Sequence, residues 1–522
     1  MKLNKYFMMG AMGLSLVACS DNLDENGQSA NGTNPNEGTT YVALKIDFNS
    51  SSSRAGEQPV DGDTGVTPPT YNDGEEGNEG VLNTVTIVVT DQATNRVEYC
   101  QTYSGQTLAA DNKYVFPIEP GVKNFFAYAN QTISASVGGQ WTGTETSDAN
   151  VATLAPYESQ QTGEGESAAW TKWFAMSSAV VVSQTIEDDV EKAEVDESNN
   201  VVSIEIERMV AKVTAQLATK FDGENPFSGQ AFTVSAITAR IGNADNLSYN
   251  GTTMDAGAAS YYIAQNNESG ARITPYYNYP NKVTWGSSFD ESDLLWGEEE
   301  DAEDLYTPTV ADNKTPQVRF YCKENTHVNY VQSNTTFLRI VATMYPNAVV
   351  QFACTTAEDT KTISVSAGTA PSAVGTFYRV LNTNDGQHVG TYVMASQLAE
   401  LYGTEDSDVT TGEETETDAK AAAVVAELEN NYNFEFSEPY VGGNGYYNVW
   451  VNDLREENTN RYLNIAPVFR NDWYDLTINN IQLPGDPDPT IDPEEPIHPN
   501  TFVAVTLTVR DWNKVSHNVD LQ

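Results

Sequence analysis

The chain has 522 residues, with 73 acidic against 27 basic side chains and a formal charge of −46. Such a surface repels nucleic acid and anionic lipid, which sets both aside as partners. The acid excess reads as a solvated face, with no EF-hand loop to turn it to calcium.

The first residues read as an export signal. Lys2 and Lys5 form a short positive region, and the apolar stretch YFMMGAMGLSLVA that follows is too short for a permanent membrane span. It ends at Leu16-Val17-Ala18-Cys19, a lipobox, in which small residues suit a signal-peptidase groove and the Cys19 thiol accepts a diacylglyceryl group. No later run reaches the ~18 apolar residues of a membrane helix, so membrane contact is expected only through the lipid of the precursor. After Cys19 only Cys100, Cys322 and Cys354 remain. That count, without a C-x-x-C, argues against a structural zinc site or a disulfide framework. The spacing leaves a Cys322–Cys354 bridge open.

Residues 20–39 have the Asn/Gly/Ser/Thr-rich composition of a disordered segment. In Tyr41–Asn49, Val42, Leu44, Ile46 and Phe48 alternate with less apolar positions, which predicts a strand with one buried face. The tract SSSRAGEQPV follows with a single arginine, Arg54, and a second loose tract runs to about residue 80. A strand isolated between flexible tracts, beside a protease-accessible arginine, is easily cut away.

From about 81 to 222, strand signals recur in VLNTVTIVVT, KYVFPIEP, VKNFFAYAN, SAVVVSQT and VVSIEIERMVAKVTAQLAT, separated by Gly, Asn and Asp turns. Val201–Ala218 reads as a central strand pair. From about 229 to 484 the pattern resumes in QAFTVSAITARI, SYYIAQ, TPQVRFYC, TTFLRIVATMY, AVVQFACTT, GYYNVWVND and WYDLTINNIQL. One helix interrupts it, at Asp418–Tyr432, rich in Ala, Leu and Glu. Acidic tracts near 297 and 411 read as surface loops. Short strands at close spacing predict two successive all-β domains of sandwich type, at 55–222 and 223–484, behind a signal peptide at 1–19 and a propeptide at 20–54.

After Leu483, PGDPDPTIDPEEPIHPN has the composition of an extended, semi-rigid spacer. In the segment 485–522 that it opens, Val503, Val505, Leu507 and Val509 alternate within Thr501–Val509, and Val515, Val519 and Leu521 follow. The two ends of the chain therefore match. Removal of Tyr41–Asn49 would leave a sandwich with an open groove, and the C-terminal strand of another copy could fill it by β-augmentation. Such a head-to-tail contact does not close on itself and gives a filament. Thr501–Val509 is favoured over Val515–Leu521 as the arriving strand for its stricter alternation. The competing outcome is that both strands pack within their own chain.

Several segments resemble a known family, the fimbrillins of Bacteroidia, and within it the shaft subunits of Porphyromonas-type short (minor) fimbriae that build type V pili. MKLNK with its lipobox is similar, as is SRAG at Ser53–Gly56. So are VSIEIERMVAKV at Val202–Val213, YYIAQ at Tyr261–Gln265, YCKENTH and NTTFLRIVA within Tyr321–Ala342, GYYNVWVN at Gly445–Asn452 and PVFRNDWYDLTINNI at Pro467–Ile481. The resemblance implies transthyretin-like Greek-key β-sandwiches with short helices and a C-terminal donor strand. It also implies an outer-membrane lipoprotein precursor, lipidated at Cys19. An Arg-specific protease would cut it after Arg54, freeing Ala55 as the mature N-terminus. The implied partners are other copies of the chain, accessory fimbrial subunits and host or bacterial surface receptors, in adhesion, colonisation or biofilm formation.

No catalytic residues, cofactor or metal are expected. His327, His388, His498 and His517 form no i, i+4 pair, and no G-x-S-x-G, P-loop or dinucleotide fingerprint is present. The aromatic run Tyr276-Tyr277-Asn278-Tyr279 is the best candidate for glycan contact. With the lipobox it supports a competing reading, a lipid-anchored glycan-binding protein or a fimbrial tip or anchor adhesin.

Overall fold

A computed structural model of the chain describes residues 40–47, 82–141, 161–162, 169–170, 174–217, 232–242, 260–261, 276–277, 303–306, 318–402, 416–452, 466–497, 503–511 and 516–519, with short interruptions inside the longer ranges. Strands dominate these residues, with few short helices. Among them no helix is long and apolar enough to cross a membrane.

The first group of strands comprises β1 (Thr40–Asp47), β2 (Thr84–Asp91), β3 (Val97–Ser104), β4 (Lys113–Ile118) and β5 (Gly121–Ala129). After the small pair β6 (Gln161–Thr162) and β7 (Ala169–Trp170) come β8 (Met176–Ser178), β9 (Val182–Ile186) and β10 (Val201–Arg208). Their order is β3-β2-β5-β8-β10-β1-β4, with β9 on β5. The short β8 bridges β5 and β10. The two halves that it joins fold over one core, to which β1, β2, β4, β5 and β10 each contribute alternate residues. Asn112 enters β4 with φ +53°, a left-handed conformation that Asn tolerates.

The second group opens with β11 (Val210–Leu217), β12 (Phe232–Gly242), the small pair β13 (Ser260–Tyr261) and β14 (Tyr276–Tyr277), β15 (Glu303–Tyr306), β16 (Val318–Lys323) and β17 (Phe337–Pro346). It continues with β18 (Val350–Ala357), β19 (Thr360–Ala367), β20 (Phe377–Asn382), β21 (Tyr392–Met394), α1 (Ala395–Ala399), α2 (Thr417–Tyr432), β22 (Glu435–Phe436) and β23 (Asn444–Trp450). It ends with β24 (Asp472–Ile481), β25 (Val503–Asp511) and β26 (Ser516–Val519). One sheet has the order β16-β11-β24-β25-β26 and another β15-β12-β17-β23, and both contribute to one apolar core. A satellite core joins the β18–β19 hairpin and β20 to the two helices. The helix expected from Asp418 is present as α2. It buries Ala421, Val424 and Leu428 on one face and ends at Asn433, whose φ of +57° is a left-handed cap.

One sequence expectation changes. Val201–Ala218 is not one central strand pair. β10 contributes to the first core, whereas β11 lies in a different sheet and, beyond Val210, contributes to the second. The described part of the Pro-rich spacer is held to the body. Asp486 pairs with Tyr446 through two backbone hydrogen bonds of 2.9 Å, the Gln332 amide donates to the Glu495 carbonyl at 2.9 Å, and Ile491 and Ile497 are buried. The two isoleucines anchor it to the body.

Cys322 is a buried free thiol within the second core, pushed up to about 12 by burial, and no bridge joins it to Cys354. Arg470, just ahead of β24, donates through Nε and Nη2 to Glu324 Oε2 at 3.1 and 2.8 Å, with both side chains at 0% exposure. Removing one partner of such a pair strands a buried charge. Arg470→Met should therefore lower stability by about 3–5 kcal/mol in urea unfolding. A change below ~1 kcal/mol would mean that the pair does not hold β24 to the end of β16.

Candidate functional site

The strand predicted at the N-terminal end forms as β1 and lies inside the sheet. It runs parallel to β10, with Ala43 opposite Val201 and Asp47 opposite Glu205, and antiparallel to β4, with Thr40 opposite Ile118 and Lys45 opposite Lys113. Neither ladder contains a register shift. Val42, Leu44 and Ile46 point into the first core, all at 2% exposure or less. Ala43, on the other face, is also fully buried. Lys45 is exposed and pairs at 2.9 Å with Asp47. Phe48, Arg54, Ala55 and Cys19 lie outside the described residues.

The start of β1 is held by groups that strand periodicity does not reveal. Asn200 is fully buried at the entrance of β10. Its Nδ2 donates to the Tyr41 and Glu187 carbonyls, each at 3.0 Å, and to Thr40 Oγ1 at 3.3 Å, while its Oδ1 accepts from the Glu187 amide at 2.8 Å. Thr40 Oγ1 also accepts from the Val190 amide at 3.1 Å, and the Tyr41 amide donates to the Val190 carbonyl at 3.0 Å. Asn200 sits in an Asp/Glu/Ser/Asn-rich turn, where its residue type alone reads as ordinary turn chemistry.

β4 has a second attachment. Tyr99 of β3 stacks on Phe116 of β4 at 4.0 Å, Tyr103 tilts against Tyr114 at 4.5 Å, and the Tyr99 and Tyr103 hydroxyls meet at 2.6 Å. Burial holds both of these hydroxyls protonated, above the ordinary tyrosine range. The aromatic clasp thus ties β4 to β3 independently of β1.

At the other end of the chain, β25 carries Val503, Val505, Leu507 and Val509. These are paired in register with Ile481, Ile478, Leu476 and Tyr474 of β24 across a ladder broken by a shift at Ile478/Asn480. Among the described residues, β25 meets β26 on its second edge over Leu507–Arg510. Within one chain, then, the C-terminal strand pairs with its own body and is not brought to β1 or its flanking strands. Val515–Leu521 contributes β26, beside β25.

Residues 438–518 match the family model described as major fimbrial subunit protein type IV, Fimbrillin, C-terminal. This segment runs from just before β23 through the spacer to β26. No curated protein matches the chain. Among solved structures, a fimbrilin, FimA, from Porphyromonas gingivalis is 14% identical, with a TM-score of 0.39 over 93% of this chain and 98% of that one. The tip fimbrial protein Mfa3 of the same organism, with C-terminal truncation, is 12% identical, with a TM-score of 0.31 over 90% of this chain and 100% of that one.

The two faces of β1 should respond differently to truncation. Leu44→Ala is expected to cost about 2–5 kcal/mol, as for a buried leucine. Lys45→Ala should stay within about 0.5 kcal/mol, as for a surface site. Thermal or urea unfolding of the full chain measures both, and equal losses would contradict the burial of β1.

Proposed function

We propose that the chain is a structural shaft subunit of a surface fimbria, assembled by strand exchange after proteolytic maturation. The observation that carries this reading is the position of β1. It is an interior strand, laddered on both edges, and its residues precede the single arginine of the SSSRAGEQPV tract. Its removal bares two ladders and the apolar places of Val42, Leu44 and Ile46 at once. The match of residues 438–518 to the fimbrillin C-terminal family supports the reading from the opposite end of the chain, where the arriving strand lies.

In this reading the precursor carries lipid on Cys19 as a transit tag to the outer membrane. Cleavage after Arg54 by an Arg-specific protease frees Ala55 and releases both lipid and β1. The aromatic clasp keeps β4 in place, so that the vacated site stays a groove. β25 of a neighbouring copy, bearing Val503, Val505, Leu507 and Val509, then exchanges its shifted ladder on β24 for two unbroken ladders on β4 and β10. Accessory fimbrial subunits would end or anchor the filament, and surface receptors would be contacted along it.

Arg54→Ala is expected to leave the N-terminus at lipidated Cys19 and the cells without filaments, whereas the unaltered chain yields Ala55. Mass spectrometry of the surface protein and electron microscopy of the cells read the two outcomes. Normal filaments on cells carrying the substitution would remove the maturation step from the reading. A wild-type surface protein that retains Cys19 would favour an anchored binder.

A further inference from the structure

Placed over Thr40–Phe48, the segment Thr501–Val509 matches the character of every position. Thr40, Val42 and Ala43 meet Thr501, Val503 and Ala504, identical residues. Tyr41 meets Phe502, Leu44 meets Val505, Ile46 meets Leu507, and Phe48 meets Val509. The two polar positions, Lys45 and Asp47, meet Thr506 and Thr508. We infer that the strand donated by a second copy of this chain seats in this one register, parallel to β10, with Thr501 taking the place of Thr40 at Asn200 and Ala504 the place of Ala43. This register rests on the strand-exchange reading above and adds to it what selects the position of the donor.

Slips are excluded by two separate features. A one-residue slip turns the apolar row out of the core. A two-residue slip keeps the row inward but brings Phe502 or Thr506 to the place of Ala43, which is fully buried and holds only a methyl group. The same slips bring Pro499 or Val503 to the place of Thr40, and neither carries a hydroxyl. Asn200 and the Val190 amide would then lose the oxygen that Thr40 supplies at 3.3 and 3.1 Å. Alternation thus fixes the face, and the alanine site and the asparagine latch fix the step along it. Val515–Leu521 has no Thr-aromatic-Val-Ala run and meets neither requirement.

The test uses disulfide trapping between full-length chains. Lys45 lies opposite the exposed Ser203 of β10, so the inferred register sets Thr506 of the donor opposite Ser203 of the acceptor. Chains carrying Ser203→Cys are mixed with chains carrying Ala504→Cys, Thr506→Cys or Thr508→Cys, matured with an Arg-specific protease and mildly oxidised. Cross-linked dimers on non-reducing gels are expected with Thr506→Cys and at background levels with the other two. Cross-linking through position 504 or 508 would overturn the register while leaving strand exchange standing, and filaments without any of these cross-links would overturn it too. Absence of both filaments and cross-links would overturn strand exchange itself. In a second measurement, Thr501→Val should slow ladder formation about tenfold, the order for a buried amide deprived of one partner, while Thr501→Ser keeps the native rate. A native rate for Thr501→Val would overturn the role of the Asn200 latch.

Discussion

A β-strand laddered on both edges cannot leave its sheet without baring two rows of N–H and C=O groups, and a buried backbone group without a partner is costly. β1 is such a strand. Its neighbours β10 and β4 follow it in the chain by long stretches, so nothing short and covalent holds it to either one. What holds it is the paired backbone, three aliphatic side chains in the core and the Asn200 latch at its start. The remaining architecture follows from that arrangement. The clasp between β3 and β4 matters because β4 would otherwise depend on β1 for its place. The fully buried Ala43 matters because it gives the site a shape as well as an apolar face.

Much of this was legible in the sequence because it is written in period two. Val42, Leu44 and Ile46 face inward as their spacing predicts, and the alternation at Val503–Val509 coincides with β25. The alanine-rich run from Asp418 forms its helix because its propensity and its apolar stripe agree. Other features depend on contacts distant in sequence. The run through Met209 is apolar on both sides of a sheet change, since both cores demand aliphatic residues, so periodicity could not mark the crossing. Proline and acid dominate the composition of the spacer, which gives its stiffness but not its docking through Ile491 and Ile497. Asn200 acquires its role only when residues about 160 positions away are folded against it.

The two ends of the chain are paired differently. Among the described residues, β1 has two regular ladders, whereas β25 has one ladder with a register shift and a second ladder over Leu507–Arg510. A shifted ladder bends and twists its strand locally, so regular pairing distinguishes the place of β1 from that of β25.

The junction at Met209 also has a mechanical meaning. β10, which walls the β1 site, continues by covalent bonds into β11, and β11 runs parallel to β24, from which the tail departs. Tension applied between the β1 site and the tail therefore crosses one stretch of backbone and then a parallel ladder loaded along its strands. Hydrogen bonds loaded in that direction share the force and must yield together, whereas a hairpin pulled open from its end loses them singly. The fold thus loads the β11–β24 ladder in shear under a pull from end to end.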